Sequence, residues 1–471
     1  MFPNRRDSVK GRMAAFTFAR LCTLLLFTAI GTVTCLMPAQ NDTWWQLRAG
    51  MEIWRTGSVE LHDHFSHTVF GGYWPNHEWL SQFIFYAVHR VGGMPLLTAT
   101  CAATIIAAWA IVWRLSTGVV MQRVIVGGLA VLGSSHGWTL RPQVFTLLLC
   151  AATAYLLVRR REMLLPPLFL LWANLHGGVV LGFVILAGAF ADRTLNDRGR
   201  AWRLVAVTAA CVAATILTPL GLSFWSDIPA SLVRLREYQV VEWRPPQVVD
   251  PLFLPFWLMS TAIVPLAFRR QLWRHQADRS HTLEWSALAL LPLALTSARN
   301  IPPFLLLAFP AVTAMWLAEF PAQTTKPATA REKPAVNAAV FAVTAALALI
   351  VIAYAWTAQI PRLGWHPLEK QVMAAIDSCP ERLYNRYDDG GYLIWFMPQR
   401  KVFMDSRQDP FPKELVRAHI EAETSGEYDA LFNQFEIQCA FVPADSLVAQ
   451  RLRTAGWVDR YHGPTWSVLA R

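Results

Sequence analysis

Three short segments concentrate the residues that could do chemistry: NDTWWQLRAG (41–50), HDHFSHT (62–68) and NHEWL (76–80). Their carboxylates Asp42, Asp63 and Glu78 are the candidate catalytic groups, since a carboxylate can take a proton from an incoming hydroxyl or amine. For Asp42 the competing role is helix N-cap, because DTWWQLRAGMEIW reads as a short amphipathic helix lying on a membrane surface, with Trp44 and Trp45 in the interfacial belt. With His62, His64, His67 and His77 the loop could also supply a divalent metal such as Mg or Mn, although the spacing matches no metal signature. Farther along, Arg141, Arg244 and Arg299 are the candidate phosphate ligands. Guanidinium forks grip phosphate bidentately, and each such donor aimed at a departing phosphate is worth on the order of 3 kcal/mol. His77, His136, His176 and Glu242 are candidates for positioning a substrate.

The elements that must hold these residues are membrane helices. Hydrophobic residues make up 54% of the 471 and charged residues only 16%. Apolar runs near the length needed to cross a bilayer recur along the chain. They predict about eleven spans, near 16–37, 94–114, 119–135, 143–158, 163–175, 177–191, 203–219, 251–268, 283–297, 301–318 and 336–357. A cleaved signal peptide is the alternative for the first, but no small-residue cleavage site follows Met37. The net charge of +10 reports topology and not a nucleic-acid partner. With the N-terminus inside, the inner segments hold 21 Lys or Arg and the outer loops eight, so the positive-inside bias predicts N-in and C-out.

That orientation gathers the candidates. Asp42, Asp63, His77 and Glu78 occupy the first external loop, 38–93. His136 and Arg141 (SSHGWTLRPQ), Asn174 and His176 (WANLHGG), Glu242 and Arg244 (VVEWRPP), and Arg299 and Asn300 (SARNIPP) all fall in turns on the same face. Ionisable groups at a membrane boundary are functional candidates by default. The stretch EFPAQTTKPATAREKPA (319–335) reads as a flexible inner connection within a membrane domain of residues 1–358.

Residues 359–471 change character. From 360 onward there are 13 Lys or Arg against 15 Asp or Glu. The predicted order is helix (365–377), strand (RLYNRY), short helix (GYLIWFM), strand (KVFMDS), two helices, strand (CAFVPA), helix and terminal hairpin. This predicts an external α/β domain with a mainly parallel sheet. Asp388, Asp389 and Asp405 fall at carboxyl ends of its strands, where ligand residues gather. Asp-Asp-Gly-Gly is also plain turn chemistry. Cys379 and Cys439 could form a disulfide there; the other five cysteines lie within spans.

The order of one span, a long external loop opening on Asp and closing on HEWL, many more spans and an external α/β tail resembles the GT-C superfamily of polyprenyl-phosphate-dependent membrane glycosyltransferases. The patterns D-x-W-W-x-L-R-x-G, D-x-F-S-x-T and H-E-W-L, with RPQ (141–143), NLHGG (174–178), EWRPP (242–246) and RNIP (299–302), are similar to a bacterial group within it. The resemblance implies a polytopic α-helical membrane protein with a sugar donor linked to polyprenyl phosphate. Asp42 would serve the acceptor, with Asp63 at the second acidic position, and the acceptor would be a glycan, lipid or protein. It implies a plasma-membrane location with the site and tail outside. The tail segment RYDDGGYLIWFMPQRKVFMDSR is loosely similar to the acceptor-recognising region of oligosaccharyltransferases, which would make Asp388, Asp389 and Asp405 acceptor ligands. A transporter would spread polar groups through its spans and carry inverted repeats, and neither is visible. A non-catalytic scaffold would leave the loop carboxylates without a task.

Overall fold

The computed structural model describes residues 16–237, 241–272, 280–320 and 332–471. The charged N-terminal stretch and most of the 319–335 connection lie outside the described residues. Helices occupy every stretch read as a span: α1 (Phe18–Cys35), the second half of α3 (Trp79–Leu115), α4 (Val120–Ser134), α5 (Gln143–Val158), α6 (Leu165–Leu175), α7 (Val179–Asn196), α8 (Arg198–Thr215), α10 (Leu254–Arg269), α11 (Thr282–Thr296), α12 (Ile301–Glu319) and α13 (Pro334–Ala358). Among the described residues six helices are long and apolar enough to cross a membrane, and α5, α6 and α11 are shorter apolar helices; α9 (Phe224–Glu237) lies between α8 and α10 in the chain. Buried apolar side chains from α3, α5, α7 and α12 form the centre of the bundle.

The first loop, 38–93, is largely ordered structure. Its opening segment forms α2 (Asn41–Thr56), and its last residues begin α3. Helix α3 breaks at Gly92 and Gly93; Gly93 has φ 61°, ψ −158°, a backbone region that side chains with a Cβ avoid. The break lets 79–91 run outside the predicted span before the chain turns into it.

Helix α2 does not lie on lipid as the sequence suggested. Trp44 and Leu47 are fully buried and Trp45 nearly so. Trp44 packs on Trp395 and Phe396, with ring centroids 6.1 and 4.7 Å away, and Trp45 meets Trp74 at 6.2 Å. The helix is therefore sandwiched between bundle and tail. Its N-cap is Gln40, which forms a capping box with Thr43, and this leaves Asp42 in the first turn with its carboxylate free for other partners.

The tail contains α14 (Lys370–Asp377), β1 (Leu383–Asn385), α15 (Gly390–Phe396), α16 (Lys413–Ser425), α17 (Asp429–Gln434), β2 (Cys439–Pro443), α18 (Leu447–Thr454), β3 (Val458–His462) and β4 (Trp466–Ala470). The sheet order is β1-β2-β4-β3. Only β1 and β2 pair in parallel; β2–β4 and β3–β4 are antiparallel. The expectation of a mainly parallel sheet is corrected, and the reason is local. KVFMDS joins no strand of this sheet; its Val402 instead exchanges backbone hydrogen bonds with Phe65 and His67 of the first loop, each 2.9 Å. Loop and tail consequently share a core that places Trp45, Phe65 and Trp74 among Val372, Leu393 and Phe441. A disulfide joins Cys379 to Cys439, Cα–Cα 5.8 Å, and ties the end of α14 to β2.

Candidate active site

Where bundle, first loop and tail meet, they enclose a cavity of about 1370 Å³. Ten of the thirteen residues singled out above line it: Asp42, His77, Glu78, His136, Arg141, His176, Glu242, Arg244, Arg299 and Asp388. The fold thus brings together side chains more than 300 positions apart.

One wall is an alternating row of charges. Arg141 donates from Nη1 to Asp42 Oδ2 at 2.6 Å and from Nη2 to Glu242 Oε2 at 2.7 Å, and Arg299 donates to Glu242 Oε1. Burial works against the charge of Arg141, but Glu242 and Asp42 outweigh it and push its pKa up. Burial likewise disfavours the Glu242 carboxylate, yet Arg299 and Arg141 hold its pKa down to about 2. Arg299 also sits over the Trp243 ring at 5.3 Å, and the Arg244 carbonyl accepts from Ala298 N–H at 2.9 Å, which ties the two turns. The Arg244 side chain is exposed; among the described residues its guanidinium makes no ion pair.

The opposite wall is Glu78. It accepts from Gln46 Nε2 and lies 3.3 Å from His176 Nε2 and 3.8 Å from His77 Nε2. Burial raises its pKa above the ordinary carboxylate value. His176 has a defined tautomer: Gly178 N–H donates to its Nδ1 at 2.9 Å, and Thr146 Oγ1 sits at 2.9 Å from the same atom. The Nε2–H therefore faces Glu78. Burial, with Arg299, His77 and Arg141 nearby, holds the ring well below its ordinary pKa and so neutral. This explains the glycines of NLHGG, because a Cβ on Gly178 would stand 2.5 Å from Thr146 Oγ1 and 2.6 Å from His176 Nδ1. His136 is farther round, bonded through Nδ1 to Gly133 O at 2.7 Å.

Three candidates lie elsewhere. Asp63 and Asp405 have fully buried side chains that share Arg407, itself fully buried. Asp63 accepts from Ser66 N and Oγ at 3.1 and 2.6 Å. The Arg407 guanidinium lies 4.9 Å from the Phe65 ring centroid and 4.7 Å from that of Trp74. Thr68 Oγ1 donates to Phe403 O at 2.6 Å. The D-x-F-S-x-T side chains thus hold the tail, and Asp63 and Asp405, expected as catalytic and acceptor-binding groups, stand outside the cavity lining, joined through Arg407. Asp389 is buried and paired with Arg386 at 2.7 Å; burial raises its pKa to about 6. Asp388, in contrast, faces the cavity. The Asp-Asp-Gly-Gly segment is more than a turn, since a Cβ on Gly391 would come within 2.2 Å of Asn41 O. Only glycine permits α15 to sit against the start of α2.

Several cavity residues were not anticipated. Gln46, one helical turn after Asp42, shares its face at i, i+4, a spacing the sequence did offer. Ser406, Tyr387, His419 and Glu423 come from the tail with no local signal. Glu423 accepts from Tyr384 O–H at 2.5 Å, and burial pushes its pKa up to about 7 from 4.5. A carboxyl raised in the folded state binds protons that the unfolded chain has released, so its contribution is present at low pH and lost as pH rises through about 7. The melting temperature of the full chain should accordingly fall between pH 5 and 8, and Glu423→Gln should flatten that slope; an identical slope in the variant would refute the assignment.

Among the described residues no three His, Cys, Asp or Glu side chains converge as metal ligands.

No family model matches the chain, and no curated protein does. Solved structures do match in fold. The chain is 12% identical to the Archaeoglobus fulgidus oligosaccharyltransferase AglB, solved with an inhibitory peptide and a dolichol-phosphate, at TM-score 0.59 over 90% of this chain and 69% of that one. An Archaeoglobus fulgidus oligosaccharyltransferase tethered to an acceptor peptide containing an NVT sequon gives 13%, TM-score 0.57, and coverage of 92% and 70%. ArnT from Cupriavidus metallidurans, bound to undecaprenyl phosphate, gives 10%, TM-score 0.50, and coverage of 94% and 97%. The resemblance to GT-C enzymes read from the sequence is borne out at the level of the fold.

Proposed function

We propose that this chain, built on the fold shared by an oligosaccharyltransferase and ArnT, transfers a sugar from a polyprenyl-phosphate-linked donor to an acceptor at the outer face of the plasma membrane. The observation that carries the reading is the row Asp42–Arg141–Glu242–Arg299 along a cavity open to Arg244 and Glu78. Two guanidiniums whose terminal nitrogens are held by carboxylates of their own chain can turn to a lipid phosphate and stabilise it as it leaves. When Arg141 turns to the phosphate, Asp42 Oδ2 is released. The acceptor X–H then attacks the anomeric carbon from the face opposite the phosphate, its proton passes to Asp42, and the bond from carbon to phosphate oxygen breaks with its electron pair on the phosphate. Attack from the opposite face inverts the configuration. Glu78, with neutral His176 and Gln46 behind it, offers a second carboxyl for sugar or acceptor hydroxyls.

The exterior location is supported by the 21-to-eight bias in basic residues and by the Cys379–Cys439 disulfide, since disulfides persist in oxidising compartments. The acceptor class is a glycan, lipid or protein reached through the tail side of the cavity, past Asp388 and Tyr387. The test supplies the full chain in nanodiscs with radiolabelled sugars on polyprenyl phosphate and diphosphate, together with an envelope fraction. Transfer or slow hydrolysis of at least one donor is expected; turnover of none, with no binding of bare polyprenyl phosphate, would overturn the proposal.

A further inference from the structure

We infer that Ser406 of the tail is a positioning residue for Asp42, so that the catalytic carboxylate is assembled only when tail and membrane bundle are docked. This rests on the reading of Asp42 as the base. The inference follows from a count of hydrogen-bonding capacity. A serine hydroxyl has one proton and two lone pairs. The Ser406 oxygen accepts from Asn41 Nδ2 at 2.8 Å and from Trp45 Nε1 at 3.2 Å. With both lone pairs engaged its proton has one direction left, and Ser406 Oγ donates to Asp42 Oδ1. Trp45 Nε1 also approaches that oxygen at 3.3 Å, while Arg141 holds Oδ2.

The donors around Ser406 are themselves fixed by the tail. Asn41 Oδ1 accepts from Gly391 N–H at 2.5 Å, and its Nδ2 lies 3.3 Å from Tyr387 O. Asn41 is buried and precedes Asp42 directly, so tail backbone, Asn41, Ser406 and Asp42 form one connected clasp. Among the described residues no other hydroxyl donates to Oδ1. The clasp sets the direction in which the carboxylate faces the cavity.

The test is Ser406→Ala beside Ser406→Thr, which keeps the hydroxyl. With a donor that the wild type turns over, Ser406→Ala should lower kcat about tenfold and leave donor KM within about twofold, and Thr should restore most of kcat. A reduced kcat with no rescue by Thr would mean packing alone and would overturn the inference, as would an unchanged kcat. A readout free of turnover is the infrared carboxylate stretch that disappears in Asp42→Asn. Ser406→Ala should shift its frequency and Thr should return it, and an identical band in Ser406→Ala overturns the inference even if no donor is found. If Asp42→Asn leaves turnover intact, the base assignment fails first; if it abolishes turnover and Ser406→Ala moves neither kcat nor the band, only the present inference fails.

Discussion

Asparagine in place of Asp42 is expected to lower turnover of a lipid-linked sugar by about 10²- to 10⁴-fold, the range that a positioned general base contributes. The substitution is nearly isosteric and keeps one oxygen acceptor, which can serve Ser406 and Trp45 while Arg141 retains Glu242, so the site should stay largely assembled and donor KM should change little. What is lost is the group that takes the proton. Two features make the effect large. The carboxylate sits at the junction of bundle and tail, and among the described residues no other acidic group shares Arg141 with Glu242. Glu78 cannot simply take over, because its oxygens are turned to Gln46 and His176 across the cavity. Steady-state transfer at saturating donor checks this, and turnover within a few-fold of wild type would remove Asp42 from the proton-taking role.

Methionine in place of Arg407 should have the second large effect, on stability. It removes the one cation between two fully buried aspartates, and breaking a buried pair typically costs 3–5 kcal/mol because a charge is left without compensation. The loss should fall on the loop–tail junction: Phe65 and Trp74 flank the guanidinium, and the Val402 pairing lies alongside. Faster proteolysis of the tail and a lower melting temperature are the expected readouts. Adding Asp63→Asn and Asp405→Asn should recover much of the loss, since a junction without charge has none left unpaired. A single variant as stable as wild type would show that the trio does not hold the junction.

The positions of the apolar helices were legible because bilayer thickness imposes a length and a composition that local sequence must satisfy. The gathering of Arg141, His176, Glu242 and Arg299 on one face was legible for a related reason, since alternating crossings put every second turn on the same side. The roles of individual carboxylates were not. Asp42, Asp63 and Asp405 look alike in sequence, and what separates them is which arginine each meets in space. Asp63 meets Arg407, 344 positions away, and no local pattern encodes that pairing. The loss of KVFMDS from the sheet has the same origin. Its alternation suits a strand, but the partner it found is the first loop, whose ordered path between α2 and α3 could not be read from composition. Ser406 is the extreme case: a common residue whose importance comes entirely from Asn41, Trp45 and Asp42 around it.

Where a lipid phosphate binds decides whether the arginine row serves the proposed chemistry. A density map of the full chain with bound polyprenyl phosphate should place the phosphate oxygens within about 2.7–3.2 Å of the Arg141 or Arg299 guanidinium, on the Asp42 side of the cavity, with Glu242 drawn off at least one of them. A headgroup seated away from both arginines, with the Asp42–Arg141–Glu242–Arg299 row intact, would contradict it.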